Sequence, residues 1–293
     1  MEKAIKKILI IGSDGQLGTD LTKAFKNYEL FCPGQEELDI TAFDEVKKYI
    51  NKIFPDLIIN TAAFHQVDDC EKDFQRSFLI NAFSIKNLAE ICKENDIILV
   101  HISTDYVFGF DKERKTPYTE EDLPGPINIY GLSKLTGEYF IKYILEKYFI
   151  IRTAGLFGVA GCKAKGGKNF IDSMLKLAKE GKEIKVKADE IISPTYTKEL
   201  AENIMYLIQT QNYGLYHITS HGECSWYEFA NEIFKLTNIK VNCQPVLSND
   251  FKTFAKRPQY SVLENKHLKE INLDKMSHWQ ESLKKYLKEK NYI

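Results

Sequence analysis

The 293-residue chain lacks any long apolar run. Nothing in it approaches the about 18 consecutive apolar residues that a transmembrane helix requires. The apolar stretch before Gly12 (MEKAIKKILIIG) is only a few residues long, too short for the core of a signal peptide. We therefore expect a cytoplasmic protein that does not contact a membrane.

The chain also lacks an excess of charge of either sign. It has 40 Lys and Arg against 41 Asp and Glu, which gives a net charge of −1. This balance gives no support to binding of nucleic acid or of an anionic membrane surface. Hydrophobic residues make up 44% and charged residues 28%, which is typical of a globular protein large enough for one domain with a second lobe.

Cysteine motifs are absent as well. The six cysteines are scattered, with no CxxC pair and no neighbouring pair of histidines, so we expect reduced and mostly buried thiols. Cys70 lies in a polar stretch and could be exposed. We see no clustered carboxylates that would place a metal ion, and we predict no metal site.

What the sequence does contain is a regular alternation of short apolar runs and helical patterns. This alternation predicts an α/β fold, a Rossmann-like doubly wound parallel sheet with a smaller interleaved C-terminal substrate-binding lobe. We expect the dinucleotide-binding domain to cover 1–152 plus about 192–222, and the lobe to cover 153–191 and 223–293. The predicted strands are 7–11, 30–32, 57–59, 97–102, 149–152 and 215–218, and the predicted helices are 17–25, 43–53, 78–92, 130–148, 170–179, 198–208 and 225–236.

A glycine-rich loop follows the first predicted strand and opens the first helix. Its spacing is GxxGxxG, with Gly12, Gly15 and Gly18. Gly12 allows a tight turn, Gly15 lets a pyrophosphate approach N–H groups at the helix N-terminus, and Gly18 lets helix and strand pack closely. The strand before the loop and the helix after it supply the context that a dinucleotide site needs.

The residues after the second strand bear on the choice of cofactor. Asp39 is expected at the adenine, and Gln35 or Glu36 at the ribose. No Arg or Lys lies between Asn27 and Lys47. Because a 2′-phosphate would require such a cation, we favour NADH over NADPH, although a distant Arg could fold into the site.

Tyr130 and Lys134 are four residues apart on a predicted helix and so share a face. A nearby ammonium would lower the phenol pKa from about 10 and make Tyr130 a proton donor. The same YxxxK spacing occurs at Tyr143 and Tyr286, where we interpret it as a solvated helix face. Tyr130 differs because Ser103-Thr104-Asp105 ends the fourth strand, where open α/β sheets carry their ligand crevice.

Together these residues resemble the extended short-chain dehydrogenase/reductase superfamily and, within it, the dTDP-4-dehydrorhamnose reductases. The most specific matches are STDYVF at 103–108 and NIYGLSKLTGE at 128–138. Further matches in family order are GSDGQLG at 12–18, LDIT at 38–41, PDLIINTAA at 55–63, Val67-Asp68, Arg152-Thr153, Asn169-Phe170, Pro194-Thr195, SWYEFA at 225–230 and Arg257-Pro258.

The resemblance implies NADH- or NADPH-dependent reduction of the 4-keto group of dTDP-4-dehydrorhamnose to dTDP-L-rhamnose, with a nucleotide-sugar substrate and a possible homodimer. It implies Thr104, Tyr130 and Lys134 as the catalytic set. It places Val67, Asp68, Thr104, Asp105, Tyr106 and Arg257 at the substrate. At the cofactor it places Gly12, Gly15, Gln16, Leu17, Gly18, Asp39, Ile40, Ala62, Ala63, His65, Asn81 and Ser103, besides Tyr130 and Lys134.

The sequence departs from the family pattern at three places. Gly155 stands where an aromatic residue is common, Glu190 with Ile191-Ile192 replaces the usual Gln and small residue, and Gln35 stands where many relatives carry Arg. Other functions therefore stay open, and one of them is reduction of another sugar nucleotide. A dehydratase would carry a carboxylate at the position of Tyr106. A 4-epimerase would share the Tyr130/Lys134 pair. A non-catalytic subunit resembling the regulatory subunit of methionine adenosyltransferase would not need turnover.

Overall fold

A computed structural model describes residues 4–162, 166–250 and 253–293 of the chain. The strands are β1 (Lys7–Ile11), β2 (Glu29–Phe31), β3 (Leu57–Asn60), β4 (Ile98–Thr104), β5 (Tyr148–Thr153), β6 (Leu156–Phe157), β7 (Ile184–Lys187), β8 (Ile191–Ile192), β9 (Thr195–Tyr196), β10 (Gly214–His217), β11 (Cys224–Ser225) and β12 (Cys243–Val246).

The helices alternate with these strands in the first half of the chain. They are α1 (Gln16–Ala24), α2 (Phe43–Ile53), α3 (Val67–Lys72), α4 (Phe74–Phe78), α5 (Ser84–Asn95), α6 (Ile129–Ile144), α7 (Phe170–Lys179), α8 (Thr197–Leu207), α9 (Trp226–Leu236), α10 (Lys266–Glu270) and α11 (Trp279–Glu289), with one π-helical turn at Leu79–Phe83. Within the described residues, no helix has both the length and the apolar character that a membrane crossing requires.

The central sheet has six strands in the order β10-β5-β4-β3-β1-β2, and all five pairings are parallel. Its strands are buried on both faces, because alternate residues of β1 enter different cores. Ile8 and Ile10 pack beneath α1 and α8, whereas Leu9 and Ile11 pack beneath α2 and α5. The predicted doubly wound α/β class is therefore confirmed.

The strand order reverses between β1 and β3, and this position locates the ligand crevice. In open α/β sheets a ligand binds outside the carboxyl ends of the strands at such a switch point. Here the two strand ends are joined directly, because Thr61 Oγ1 donates to the carbonyl oxygens of Ile11 and Gly12, each at 3.0 Å. The glycine loop and the residues after β3 therefore form adjoining walls of one crevice.

The second half of the chain forms three two-stranded sheets, β11-β8, β12-β7 and β6-β9, and returns once to the central sheet as β10. It has its own aromatic core, in which Phe157 stacks on Tyr196 and lies edge-on to Tyr286. Tyr286 is fully buried in this core, so the prediction that it lies on a solvated helix face is wrong. This arrangement is compatible with the predicted interleaved lobe. The boundaries of the two parts remain a prediction.

Two predicted helices differ from the structure. The helix predicted over 78–92 is divided into α4, the π-helical turn and α5, because the backbone gains one residue per turn at Leu79–Phe83. The helix predicted to reach Tyr148 ends at Ile144, where Leu145 is already extended (φ −110°, ψ 150°). Cys70 is fully buried rather than exposed, since α3 turns its thiol toward the Phe64 carbonyl.

Candidate active site

One cavity of about 1440 Å³ opens at the carboxyl ends of β1, β3, β4 and β5. Most of the predicted site residues line it, and they come from the glycine loop, the segments after β2 and β3, the end of β4 and the start of α6. The predicted residues on its wall are Gly12, Gly15, Gln16, Leu17, Gly18, Asp39, Ile40, Ala62, Ala63, His65, Val67, Ser103, Thr104, Asp105, Tyr106, Tyr130 and Lys134.

The glycine loop fits a dinucleotide. Gly12 has φ +77°, and a Cβ there would lie 2.6 Å from Thr61 Oγ1, so only glycine is accommodated. In the part of the chain that the structure describes, no side chain caps the first turn of α1, which leaves its N–H groups available to a phosphate. Gln16 donates from Nε2 to the Leu156 carbonyl (3.0 Å), while its buried Oε1 has no partner among the described residues. That oxygen is an acceptor at the cavity wall.

The part of the wall that is predicted to hold the adenine and ribose is also preformed. Asp39 Oδ1 accepts hydrogen bonds from the backbone and the hydroxyl of Thr41, each at 2.8 Å, which fixes the loop that carries Ile40. Ala62 N–H donates to Asn60 Oδ1 (3.2 Å). His65 is exposed at the rim, with Nε2 at 3.4 Å from Cys162 Sγ.

Asn81 does not line the cavity, contrary to the prediction that it lies beside the cofactor. Its side chain is fully buried and bonds both the N–H and the carbonyl of Phe64, each at 2.9 Å, as well as Ser133 Oγ. A buried amide must satisfy its hydrogen bonds, and these bonds fix the wall from behind. Asn81 therefore supports the site without facing it.

Tyr130 and Thr104 meet at the junction of α6 and β4. Asn128 caps α6 by accepting from the Gly131 N–H at 2.8 Å, and Gly131 lies against the Tyr106 carbonyl, where a Cβ would come within 2.0 Å. The side chains of Tyr130 and Thr104 lie close together, near enough for the Thr104 hydroxyl to act on the Tyr130 pKa. This close packing sets the phenol of Tyr130 beside the strand end that carries Thr104.

The structure does not reproduce the predicted lowering of the Tyr130 pKa. Burial raises the pKa of this phenol, against a smaller opposing effect of the Thr104 hydrogen bond. Lys134 Nζ lies 2.6 Å from the Ile102 carbonyl and 3.0 Å from His101 Nε2, and burial lowers the pKa of Lys134 to about 7. The desolvation of both groups outweighs their predicted mutual effect.

A buried chain of polar side chains behind Lys134 was not predicted from the sequence. His101 Nδ1 lies 3.1 Å from Asn60 Nδ2, and burial, with the nearby Lys134 charge, holds the pKa of His101 well below its ordinary value. The imidazole is therefore neutral at physiological pH. His101 and Asn60 fix the position of Lys134 from the side opposite the cavity.

Ser103 is anchored to a buried ion pair. Its hydroxyl donates to Glu138 Oε1 (2.5 Å), and Glu138 accepts from Arg152 Nε and Nη2 at 3.0 and 2.7 Å. Glu138 is 0% and Arg152 1% exposed, so the pair is desolvated. This pair, which no local motif in the sequence predicts, holds the ends of β4 and β5 and the middle of α6 together.

The predicted substrate residues have different environments. Asp68 and Arg257 do not line the cavity; they form an ion pair at 3.0 Å that links α3 to the C-terminal segment. Arg257 holds the pKa of Asp68 below its ordinary value. Asp105 accepts from Thr104 Oγ1 (3.0 Å) and from Ser261 Oγ (2.6 Å), and burial raises its pKa to about 6. Asp68 and Arg257 are thus placed to position the two halves of the chain.

Comparisons with known proteins agree with this geometry. A family model described as RmlD substrate binding domain matches residues 6–292. The chain belongs to this family. It is 37% identical over 287 residues to the spore coat polysaccharide biosynthesis protein SpsK of Bacillus subtilis, covering 97% of this chain and 98% of the relative.

Two further RmlD-family relatives are named for one activity. A dTDP-4-dehydrorhamnose reductase of Aggregatibacter actinomycetemcomitans is 34% identical over 294 residues, covering 95% of this chain and 97% of the relative. A crystal structure of dTDP-4-dehydrorhamnose reductase from Bacillus anthracis in complex with NADP is 40% identical, with a TM-score of 0.92, covering 98% of this chain and 100% of the other.

Two of the departures from the RmlD-family pattern lie against each other. A Cβ on Gly155 would lie 3.0 Å from Ile192 Cδ1 and 3.1 Å from Pro194 Cα, and both Gly155 and Ile192 line the cavity. Ile192 thus packs where a larger residue at 155 would extend.

Among the described residues, no group of three His, Cys, Asp or Glu side chains is arranged to hold a metal ion.

Proposed function

We propose that the chain catalyses reduction of the 4-keto group of dTDP-4-dehydrorhamnose to dTDP-L-rhamnose with NADH or NADPH. The observation that carries this proposal is that Thr104, Tyr130 and Lys134 share one cavity with a phosphate-binding glycine loop. The names of the RmlD-family relatives support the choice of substrate.

In this proposal a bound dihydronicotinamide supplies the hydride, and the protein positions the sugar and supplies the proton. Tyr130 holds its proton at neutral pH because burial raises its pKa, which suits the general acid of a reduction. As the carbonyl oxygen gains negative charge, proton transfer from Tyr130 neutralises it. Lys134, when protonated, contributes positive charge to the same region and stabilises the developing phenolate.

Thr104 lies beside this acid, and its hydroxyl can bond the substrate carbonyl. Its Oγ1 accepts from the Tyr106 N–H (3.1 Å) and donates to Asp105 (3.0 Å). A hydroxyl has only one proton to donate, so a hydrogen bond from Thr104 to the substrate carbonyl requires that proton to turn away from Asp105. The Asp105 carboxylate keeps its bond from Ser261 when this occurs, which lowers the cost of the rotation.

The cofactor in this proposal is a nicotinamide dinucleotide. The loop at 32–36 after β2 contributes no cation to the cavity, which by itself favours NADH. The Bacillus anthracis relative was crystallised with NADP, so a 2′-phosphate is compatible with a closely similar fold. A homodimer and a cytoplasmic location remain predictions.

The alternatives differ in what they require. A dehydratase needs an additional acid or base where this chain has Tyr106, and burial raises the pKa of that phenol further from neutrality. A 4-epimerase would retain its cofactor through the whole cycle, and a regulatory subunit would show no turnover.

The test is to mix the purified protein with dTDP-4-dehydrorhamnose and either NADH or NADPH and to follow dihydronicotinamide absorbance. We expect substrate-dependent oxidation of at least one cofactor. No oxidation of either would refute the proposal. NAD that remains bound through purification would favour the epimerase, and copurification with a larger catalytic partner would favour the regulatory subunit.

A further inference from the structure

The charges on the cavity wall are unfavourable for a dinucleotide. Three cations of the described residues line the cavity: Lys72, Arg76 and Lys134. Six carboxylates line the same cavity, and they belong to Asp14, Glu36, Asp39, Asp69, Asp73 and Asp105. A cation near the two phosphate charges of a bound dinucleotide would offset this excess.

Two of the three cations are already engaged. Lys134 is 1% exposed and lies against His101 and the Ile102 carbonyl at the catalytic end of the cavity. Lys72 pairs with Asp69 at 3.1 Å, and its Nζ lies 4.9 Å from the ring centre of Phe254. Neither has its charge free for a phosphate.

Arg76 differs from both. Its guanidinium lies 4.9 Å from the ring centre of Phe64 and forms no ion pair with the described residues. Stacking on an aromatic ring orients a guanidinium while leaving its in-plane N–H groups available for hydrogen bonds. Arg76 is exposed at the cavity rim, where a ligand can reach it.

A series of contacts connects the segment that carries Arg76 with the glycine loop, where we propose that phosphate binds. A Cβ on Gly12 would lie 3.0 Å from Ala62 N, so the glycine loop abuts the residues after β3. Phe64 follows two residues later and is fixed by both bonds from Asn81. Ile80, one turn beyond Arg76, also lines the cavity and packs against the core that Ala62 contacts.

We propose that Arg76 binds a phosphate of the dinucleotide cofactor, from the wall that adjoins the glycine loop at the N-terminus of α1. This inference rests on the proposed function. The chemistry is a charge-assisted hydrogen bond from a guanidinium to a phosphate oxygen, and it fits either the pyrophosphate or the 2′-phosphate of NADPH. Arg76 would thereby supply the cation that the loop after β2 lacks.

The experiment measures the dissociation constants of NADPH and NADH by fluorescence titration for the full-length protein and for Arg76→Gln. We expect at least about a 10-fold rise in Kd for one or both cofactors. A rise for NADPH alone assigns Arg76 to the 2′-phosphate, and equal rises assign it to the pyrophosphate. Arg76→Lys should recover part of the loss, because it restores the charge without the planar fork.

Lys86→Gln is the matched control, because it removes one positive charge from α5 outside the cavity. It should leave both dissociation constants unchanged, and thermal unfolding of each variant checks the fold. Unchanged binding of both cofactors by folded Arg76→Gln would overturn the inference while leaving the proposed function intact. Failure of the unmodified protein to bind either cofactor would instead overturn the proposed function.

Discussion

The hydroxyl of Tyr130 is the group whose removal separates chemistry from binding. Tyr130→Phe keeps the ring, and with it the edge contact to Tyr106 at 5.9 Å between ring centres. It removes the proton donor and the group on which the Thr104 hydroxyl acts. We expect turnover to fall by about 10²–10⁴-fold, the range for loss of general acid–base catalysis.

The structure allows the two costs of this change to be compared. A 10²–10⁴-fold loss corresponds to about 2.7–5.5 kcal/mol of activation free energy. The folded state loses at most one hydrogen bond, worth about 0.5–1.5 kcal/mol, because Thr104 keeps its bonds to the Tyr106 N–H and to Asp105. The rise in the activation free energy should therefore exceed the loss in the free energy of unfolding.

The assay is the initial rate of NADH or NADPH oxidation at saturating substrate, with cofactor Kd and thermal unfolding measured on the same sample. Tyr143→Phe is the control, since Tyr143 has the same YxxxK spacing but is 89% exposed on the outer face of α6. Near-full activity of Tyr130→Phe, or an equal loss in Tyr143→Phe, would refute the assignment of the proton donor.

Two predictions concern buried charges, those of Glu138 behind the site and of Lys134 in the catalytic set. Glu138→Ala leaves the Arg152 charge buried and unpaired, so urea unfolding should show a loss of about 3–5 kcal/mol; a loss no larger than that of the exposed Glu146→Ala would contradict this. The pKa of Lys134 is lowered from 10.5 to about 7 by burial. Between those values the unfolded chain binds one more proton than the folded one, and the free energy of unfolding rises with pH. Lys134→Met should abolish turnover and flatten that rise when urea unfolding is measured at pH values between those two. A variant that keeps the full rise with pH would contradict the lowered pKa of Lys134.

The parts of the fold with strong local signals were predictable. The strand at Lys7–Ile11 and the helices at Phe43–Ile53 and Phe170–Lys179 have the predicted bounds, because their apolar spacing admits one reading. The helix predicted over 225–236 is present, and it begins where Ser225 caps α9 with Glu228 in a capping box. The sequence of helix α3 and of the two-residue strands has no such periodicity. Whether these elements form depends on tertiary contacts.

The candidate site was predictable only where a motif carries its chemistry locally. The glycine loop and the Thr104–Tyr130 pair lie together as expected. The pairing of Asp68 with Arg257 joins residues 189 positions apart, and nothing in the local sequence indicates it. The direction of Lys134 toward His101 likewise depends on how β4 packs beneath α6, which spacing along one helix cannot show.

The proposed function depends on hydride transfer to carbon 4 of the sugar. Transfer of deuterium from the cofactor to that carbon measures this step directly. The protein is incubated with dTDP-4-dehydrorhamnose and dihydronicotinamide cofactor deuterated at the transferred position, and the product is examined by NMR. We expect dTDP-L-rhamnose with deuterium at carbon 4 of the sugar and one equivalent of oxidised cofactor. Unlabelled product, deuterium at another carbon, or conversion without net cofactor oxidation would contradict it.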